Sequence, residues 1–301
     1  MTESYHRPVM LKECIDGLGI LPGGVYIDAT FGGGGHSAEI LTILEQGHLY
    51  AFDQDPDAKA NAATFTSNFT FIESNFRYLQ RYLKMYNVTQ VDGILADLGV
   101  SSHQIDAGHR GFSTRFDGAL DMRMSQAGEI SAYSIINTYK AEDLQKVFSQ
   151  FGEIKNAKTL AGVIIDHREN SPIKTTAELK EIAGTVAPRR REFKYFAQIF
   201  QSIRIAVNDE IPALEEFLLQ STDLLKPGGR LVVMSYHSLE DRLVKHIFRY
   251  GNFEGKAEKD FYGNLVRPLE PVNRKPLTTG EAELKENPRS RSAKLRIAKK
   301  L

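Results

Sequence analysis

The chain has 301 residues, 42% of them hydrophobic and 25% charged, with 38 Lys plus Arg balancing 38 Asp plus Glu. That length and composition exclude a mainly disordered state, and the zero net charge excludes a protein coated in positive charge, though not local patches. The lone Cys14 excludes a disulfide framework and a Cys-based zinc cluster; with no apolar run near the ~20 residues of a membrane span and no signal-peptide pattern in Met1–Glu13, a cytoplasmic protein is expected.

The first turn is Leu21-Pro22-Gly23-Gly24, followed by a short β run, Val25 to Ile27, ending at Asp28. Phe31 to His36 is a Gly-rich loop, and Ser37 is expected to cap a helix from Ala38 to Leu44. A second β run, His48 to Phe52, ends at Asp53. A helix from Ala58 to Phe65, a strand from Phe69 to Ile72 and a helix from Phe76 to Tyr86 follow. The fourth strand, Val91 to Ala96, ends at Asp97. This alternation predicts a mostly parallel sheet covered on both faces, a doubly wound α/β fold. Gly99 to Gly118 then reads as loop, Ser131 to Ala187 as helices, and Phe193 to Leu225 as helix with Ile205-Ala206-Val207 inside it. The α/β pattern resumes with a turn at Leu225 to Gly229, a strand from Arg230 to Ser235, a helix from Ser238 to Tyr250 and a last strand around Leu295 to Ala298. The expected organisation is one discontinuous α/β domain, 1–109 with 207–301, carrying an inserted helical domain, 110–206, for substrate recognition.

The loop after the first strand suits a nucleotide-type ligand. Glycines let backbone approach it closely, and the next helix directs amides toward it. Asp53 stands where a ribose-binding acid is expected. The dinucleotide fingerprint fails at its third glycine, where Ser37 stands, and no Gly-Lys-Ser/Thr follows to make a phosphate loop. An acidic residue four positions before Gly32 suits S-adenosylmethionine better than NAD. The simpler alternative is a tight turn joining strand to helix.

Several blocks together are specific. They include His6-Arg7-Pro8-Val9-Met10, Asp28 to Ser37, Asp92 to Ser102 (Asp-Gly-Ile-Leu-Ala-Asp-Leu-Gly-Val-Ser-Ser) and Arg110-Gly-Phe-Ser113. Leu120-Asp-Met-Arg-Met124, Phe200 to Ile205, Val207 to Glu210, His237-Ser-Leu-Glu-Asp-Arg242 and Asn287 to Arg296 continue the series. In this order, over nearly the whole chain, they resemble the bacterial 16S ribosomal RNA cytosine-N4 methyltransferase family. The resemblance implies a class I S-adenosylmethionine-dependent methyltransferase fold with a helical insertion. It also implies methylation of N4 of a cytidine near the decoding centre of the small (30S) ribosomal subunit, position 1402 in the usual rRNA numbering. Matching motif by motif assigns Gly34, Gly35, His36, Asp53, Phe76, Asp97 and Gln104 to the cofactor. The chain departs from the family at Ile154 to Lys158 and at Lys194 to Gln198, both in the insertion. Neither a membrane nor DNA is an implied partner, and no metal is implied.

Cytosine N4 is a poor nucleophile because its lone pair is delocalised into the ring. An enzyme must hold the amine in line with the methyl and accept a hydrogen bond from it as charge develops. The loop after the fourth strand has no cysteine, which disfavours carbon-5 chemistry, and no Asp-Pro-Pro-Tyr motif; Cys14 reads as packing. Asp97 is expected to contact the cofactor and, with Leu98 to Ser102, to position the amine. Ser101 and Ser102 read equally as substrate contacts or turn caps. His237 reads as a substrate contact or as a neighbour of a helix cap at Ser238. His237, Glu240, Asp241 and His246 do not match a standard metal spacing. For RNA, Arg110, Arg115 and Arg123 are candidates, as are Arg189, Arg190 and Arg191 with Lys194 among Phe193, Tyr195 and Phe196, and Arg289 and Arg291 in the basic tail. Two rivals remain: a noncatalytic RNA-binding assembly factor on this fold and a nucleotide-dependent oxidoreductase.

Overall fold

The computed structural model describes residues 8–301, so His6 and Arg7 of the first motif lie outside the described residues. The chain forms two compact units, Met1–Gly99 with Ile211–Leu301 and Val100–Glu210. Both junctions therefore fall outside the expected insertion 110–206, because the segment after the fourth strand already belongs to the second unit.

The first unit opens with α1 (Leu11–Leu18), β1 (Val25–Asp28), α2 (Gly35–Ile43), β2 (His48–Asp53), α3 (Pro56–Ala62), β3 (Phe69–Glu73), α4 (Leu79–Met85) and β4 (Val91–Asp97). The second contains α5 (Ser102–Asp106), α6 (Ala132–Thr138), α7 (Ala141–Gln150), α8 (Ala157–Arg168), α9 (Thr176–Gly184) and α10 (Glu192–Asn208). The chain then continues through α11 (Glu210–Leu224), β5 (Leu225–Ser235), α12 (Ser238–Tyr250), β6 (Leu269–Pro271), α13 (Glu281–Glu286) and β7 (Lys294–Lys300).

The seven strands lie in the order β3-β2-β1-β4-β5-β7-β6. The first five run parallel, and β7 pairs antiparallel with both β5 and β6. Strand residues alternate between two apolar layers. Ile27, Ile94, Ala96, Leu231 and Val233 face the core shared with α4, α11 and α12. Tyr26, Leu95, Val232 and Met234 face the core shared with α1 and α2, where Cys14 is buried. Burial on both faces is why these strands read as nearly continuous apolar runs. The chain winds outward from β1 to β3, then returns to place β4 on the other side of β1. The connections leaving β1 and β4 thus diverge, opening a crevice at their carboxyl ends.

Local details refine the sequence reading. Ser37 does not cap α2: the helix starts at Gly35 behind Gly34, whose φ of 79° suits glycine, and the Ser37 hydroxyl donates instead to Asp28 Oδ2 at 2.7 Å. The Phe76–Tyr86 segment opens as a 3-10 turn at Phe76–Tyr78, capped by the Asn75 side chain, before α4 begins. The Lys226-Pro-Gly-Gly229 turn lies inside β5. Leu225 pairs with Val91 and Arg230 with Gly93, so the four residues bulge out between them. Lys226 Nζ anchors the bulge on Asp92 at 2.8 Å. The stretch read as loop after Gly99 contains α5 and a 3-10 turn at Gly108–Arg110.

The second unit has its own core, built from Leu120, Met122, Ile135, Phe148, Leu160, Ile164, Leu179, Ile199, Phe200, Ile203 and their neighbours. Asn208 at the end of α10 ties the irregular segment before α6 to it. Its Oδ1 accepts from Met124 N at 2.7 Å, and its Nδ2 donates to Met122 O at 2.8 Å and Arg204 O at 2.9 Å. Replacing Asn208 with Ala strands these partly buried groups at a cost of ~1–3 kcal/mol each where water does not reach. We expect Asn208→Ala to lower the thermal midpoint and to speed amide exchange at Met122–Met124 ahead of the sheet; unchanged exchange there would refute this role.

Candidate active site

Three of the parallel strands end in aspartate. β1 ends at Asp28, β2 at Asp53 and β4 at Asp97, all at the carboxyl edge where the strand order reverses. Each is held by groups the local chain supplies. Asp28 is buried and accepts from the Ser37 hydroxyl and from Thr30 N at 3.1 Å. Asp53 Oδ2 accepts from Gly32 N at 2.7 Å and Oδ1 from Asp55 N at 2.8 Å, which ties the Gly-rich loop to the end of β2. Asp97 donates its backbone N–H to Thr30 Oγ1 at 2.7 Å, while its Oδ1 accepts from the Tyr236 hydroxyl at 2.8 Å.

Removal from water dominates the electrostatics. Burial raises all three carboxyls from 3.8 to about 6, against the opposing hydrogen bonds from Ser37, the Asp55 and Gly32 amides, and Tyr236. Above about pH 6 the edge therefore carries anions that protein partners only partly compensate. His36 is buried in the first turn of α2, where loss of solvent lowers its pKa against the pull of Asp97; its Nε2 lies 3.2 Å from Val9 O. A neutral ring donating to that carbonyl fits packing and cofactor contact better than proton transfer. Phe76 packs edge-on against Phe217, ring centres 5.0 Å apart.

Tyr236 is the site residue that sequence reading missed. Its hydroxyl is pushed well above its usual pKa, first by burial and then by Asp97, so it remains a donor. Its backbone N–H donates to Glu240 Oε2 at 2.9 Å. The available signal was its place directly after β5 and beside the singled-out His237. His237, rather than Ser238, caps α12: its Nδ1 accepts from Glu240 N at 3.4 Å. That puts the ring proton on Nε2, which lies 3.1 Å from Glu240 Oε1 without the alignment of a hydrogen bond. Of the four metal candidates, Asp241 is engaged by Arg296 at 2.7 Å and Lys294 at 3.3 Å, and His246 Nδ1 is 2.9 Å from Phe253 O.

The remaining candidates lie in the second unit or the tail. Ser101 caps α5, accepting from Gln104 N at 3.1 Å, and Gln104 Oε1 accepts from Ser101 N at 2.9 Å. Ser102 is the first residue of that helix. Arg110 is buried, with its guanidinium on the carbonyls of Arg123 at 2.8 Å and Met124 at 3.0 Å, so this conformation does not present it to RNA. Arg123 forms a two-pronged pair with Asp121 and reaches the Gly128 carbonyl, a loop-closing role. Arg115, Arg189, Arg190, Arg191 and Arg291 are exposed, and Arg289 is half-buried.

A parallel sheet whose order reverses beside a glycine loop, with an acid at each neighbouring strand end, defines a nucleoside-binding α/β enzyme of the class I methyltransferase type. The acceptor carboxylate of Asp53 and the anionic edge suit a ligand that brings ribose hydroxyls and a positive sulfonium. The MraW methylase family model matches residues 3–301, and the chain belongs to that family. Among its relatives, the ribosomal RNA small subunit methyltransferase H of Bacteroides thetaiotaomicron is 55% identical over 298 residues, covering 99% of this chain and 98% of that one. Its counterpart in Flavobacterium johnsoniae is 54% identical over 301 residues, covering 100% and 99%. The chain is an S-adenosylmethionine-dependent methyltransferase, and the expected α/β fold of that class stands.

The three raised carboxyls give a signed pH dependence. Between their ordinary value of 3.8 and about 6 the folded protein holds protons that the unfolded chain has released, so ligand-free stability falls as pH rises through about 6. A bound cation and hydroxyl donors favour the ionised edge. Added S-adenosylmethionine should therefore raise the thermal midpoint more at pH 8 than at pH 5. Asp53→Asn should weaken cofactor binding ~10-fold or more by calorimetry, the worth of a hydrogen bond to a charged group. Equal stabilisation at both pH values would contradict this account.

Proposed function

We propose that this chain methylates N4 of a cytidine in the 16S rRNA of the small (30S) ribosomal subunit, position 1402 in the usual numbering, as a cytoplasmic enzyme. The observation that carries the chemistry is Asp97 at the end of β4, its Oδ1 fixed by Tyr236 and its backbone by Thr30. The names of its relatives support small-subunit rRNA as the substrate. When bound, S-adenosylmethionine supplies a methyl group on a positive sulfur. Gly34, Gly35, His36, Asp53, Phe76, Asp97 and Gln104 are the proposed cofactor contacts.

The chain's residues then have to orient the amine. Tyr236 occupies Asp97 Oδ1, so Oδ2 is the oxygen assigned to the N4–H of the target base. A carboxylate there would accept that hydrogen bond, strengthen it as N4 becomes positive, and take the N4 proton at Oδ2 as the N–C bond forms and the sulfur–methyl bond breaks, its electron pair staying on sulfur. Ionised above about pH 6, Asp97 is matched to this task near neutrality. No cysteine follows β4, and Cys14 is buried in α1, so nothing here supports the covalent chemistry of carbon-5 methylation. Ser101 and His237 cap α5 and α12 and Ser102 opens α5, and all three remain candidate substrate contacts in this reading. The oxidoreductase alternative loses its ground because Ser37, in place of a third glycine, anchors the end of β1.

Labelled methyl transfer to small subunits lacking the modification, with products read as N4- or C5-methylcytidine, tests this reading. N4 product is expected. Cofactor binding without transfer to any small-subunit RNA would overturn this substrate assignment and point to a different RNA target. Asp97→Asn should lower kcat by ~10²-fold or more, the usual worth of a positioned acid–base group. Tyr236→Phe removes a hydrogen bond that favours the Asp97 carboxylate, so the acidic limb of the kcat profile should move to higher pH. A fall in rate with the limb unmoved would show that Tyr236 only packs.

A further inference from the structure

The start of α10 presents one aromatic ring to solvent among cationic sequence neighbours. Phe193, the second residue of the helix, is 92% exposed. Its sequence neighbours divide sharply: Tyr195 is 3% exposed, and Phe196 packs against the helical core. The residue one turn on from Phe193, at i+4, is the exposed Ala197, whose methyl leaves the ring uncovered. Arg189, Arg190, Arg191 and Lys194 surround it in sequence, all exposed. The only acid in this run, Glu192, turns its Oε1 to the backbone N–H of Arg190 at 3.0 Å. The approach is an ordered reverse turn: Arg191 N donates to Pro188 O at 3.1 Å, and Arg190 holds a φ of 63°. Single exposed apolar side chains are common on protein surfaces; what sets Phe193 apart is the run of four exposed cations beside it.

Charge decides what that partner is. Among the described residues the other highly exposed aromatics, Phe261 at 98% and Tyr262 at 85%, lie on a turn where Glu258 and Asp260 offset Lys256 and Lys259, so no net positive charge draws phosphate there. Four cations against one backbone-engaged carboxylate make the Phe193 turn the opposite case. We propose that Phe193 stacks on an unpaired base of the RNA substrate while Arg189, Arg190, Arg191 and Lys194 contact the flanking phosphates. Planar guanidinium groups reach phosphate oxygens with paired donors, and every base offers a π-face to an aromatic ring. This assignment rests on the rRNA reading above. It gives the second unit a defined contact, single-stranded nucleotides with little sequence preference.

The test uses the full-length protein, with Phe193→Ala, Phe193→Trp, a triple Arg189/190/191→Gln variant, and Phe261→Ala as a surface control. Binding is measured to an oligouridine and to an abasic oligonucleotide of equal charge, and methyl transfer to unmodified small subunits. Phe193→Ala should weaken oligouridine binding ~5- to 100-fold, the range for losing one stacked base. It should leave abasic binding and the salt slope unchanged, and Phe193→Trp should restore affinity. The arginine variant should flatten the salt slope on both oligonucleotides. Phe193→Ala binding oligouridine like the wild type, or losing abasic binding equally, would overturn the stacking role, as would a loss confined to intact subunits, which would indicate a protein contact. If the wild type transfers no methyl to small subunits, the functional reading fails instead, whichever way the oligonucleotide results fall.

Discussion

The first unit depends on keeping three carboxylates at the dehydrated edge of a parallel sheet. Taking Asp28, Asp53 and Asp97 out of water is unfavourable enough to raise each to about 6. The neighbouring chain offsets part of that cost with one donor or two for each: Ser37 and Thr30 for Asp28, Gly32 and Asp55 for Asp53, Tyr236 for Asp97. These contacts also fix the shape of the edge, because the donors come from the glycine loop, the first turn of α2, the start of α3 and the segment after β5. Electrostatic demand and loop geometry are thus one constraint. A cationic, hydroxyl-bearing cofactor completes what the protein donors leave unsatisfied.

The same constraint separates residues that sequence alone treats alike. Arginine serves three ends in this chain. Arg110 closes a loop from inside by binding carbonyls, and Arg296 neutralises Asp241 beneath the last strand. Arg189, Arg190 and Arg191 stand in solvent. A buried guanidinium must satisfy its donors within the protein, whereas an exposed one remains available to phosphate. Histidine divides in the same way: His36 is buried and neutral against a carbonyl, and His237 terminates a helix.

Much of the site was legible because strand ends and glycine loops are local features. Asp28, Asp53 and Asp97 each close an apolar run, and the run lengths place them at strand termini. Helix starts were less legible. Ser37 satisfies the local rule for a cap but hydrogen-bonds across to Asp28, and His237, outside the usual capping residues, caps α12. The Lys226 to Gly229 turn reads as a strand boundary, yet the chain re-enters the same strand, because Asp92 holds Lys226 against the neighbouring one.

By itself the sequence determined the alternating α/β pattern, the glycine loop with its acids, and the block motifs that mark the family. These follow from periodicity and residue type along the chain, which need no knowledge of distant partners. Tertiary structure alone decided that Tyr236 fixes Asp97, that Arg110 and Arg123 brace a loop, that the unit junctions lie at Gly99 and Glu210, and that Phe193 is exposed while Tyr195 is buried. Each depends on burial and on hydrogen bonds between segments far apart in sequence or facing different ways from one helix. Such relations exist only once the sheet and the helical core have formed.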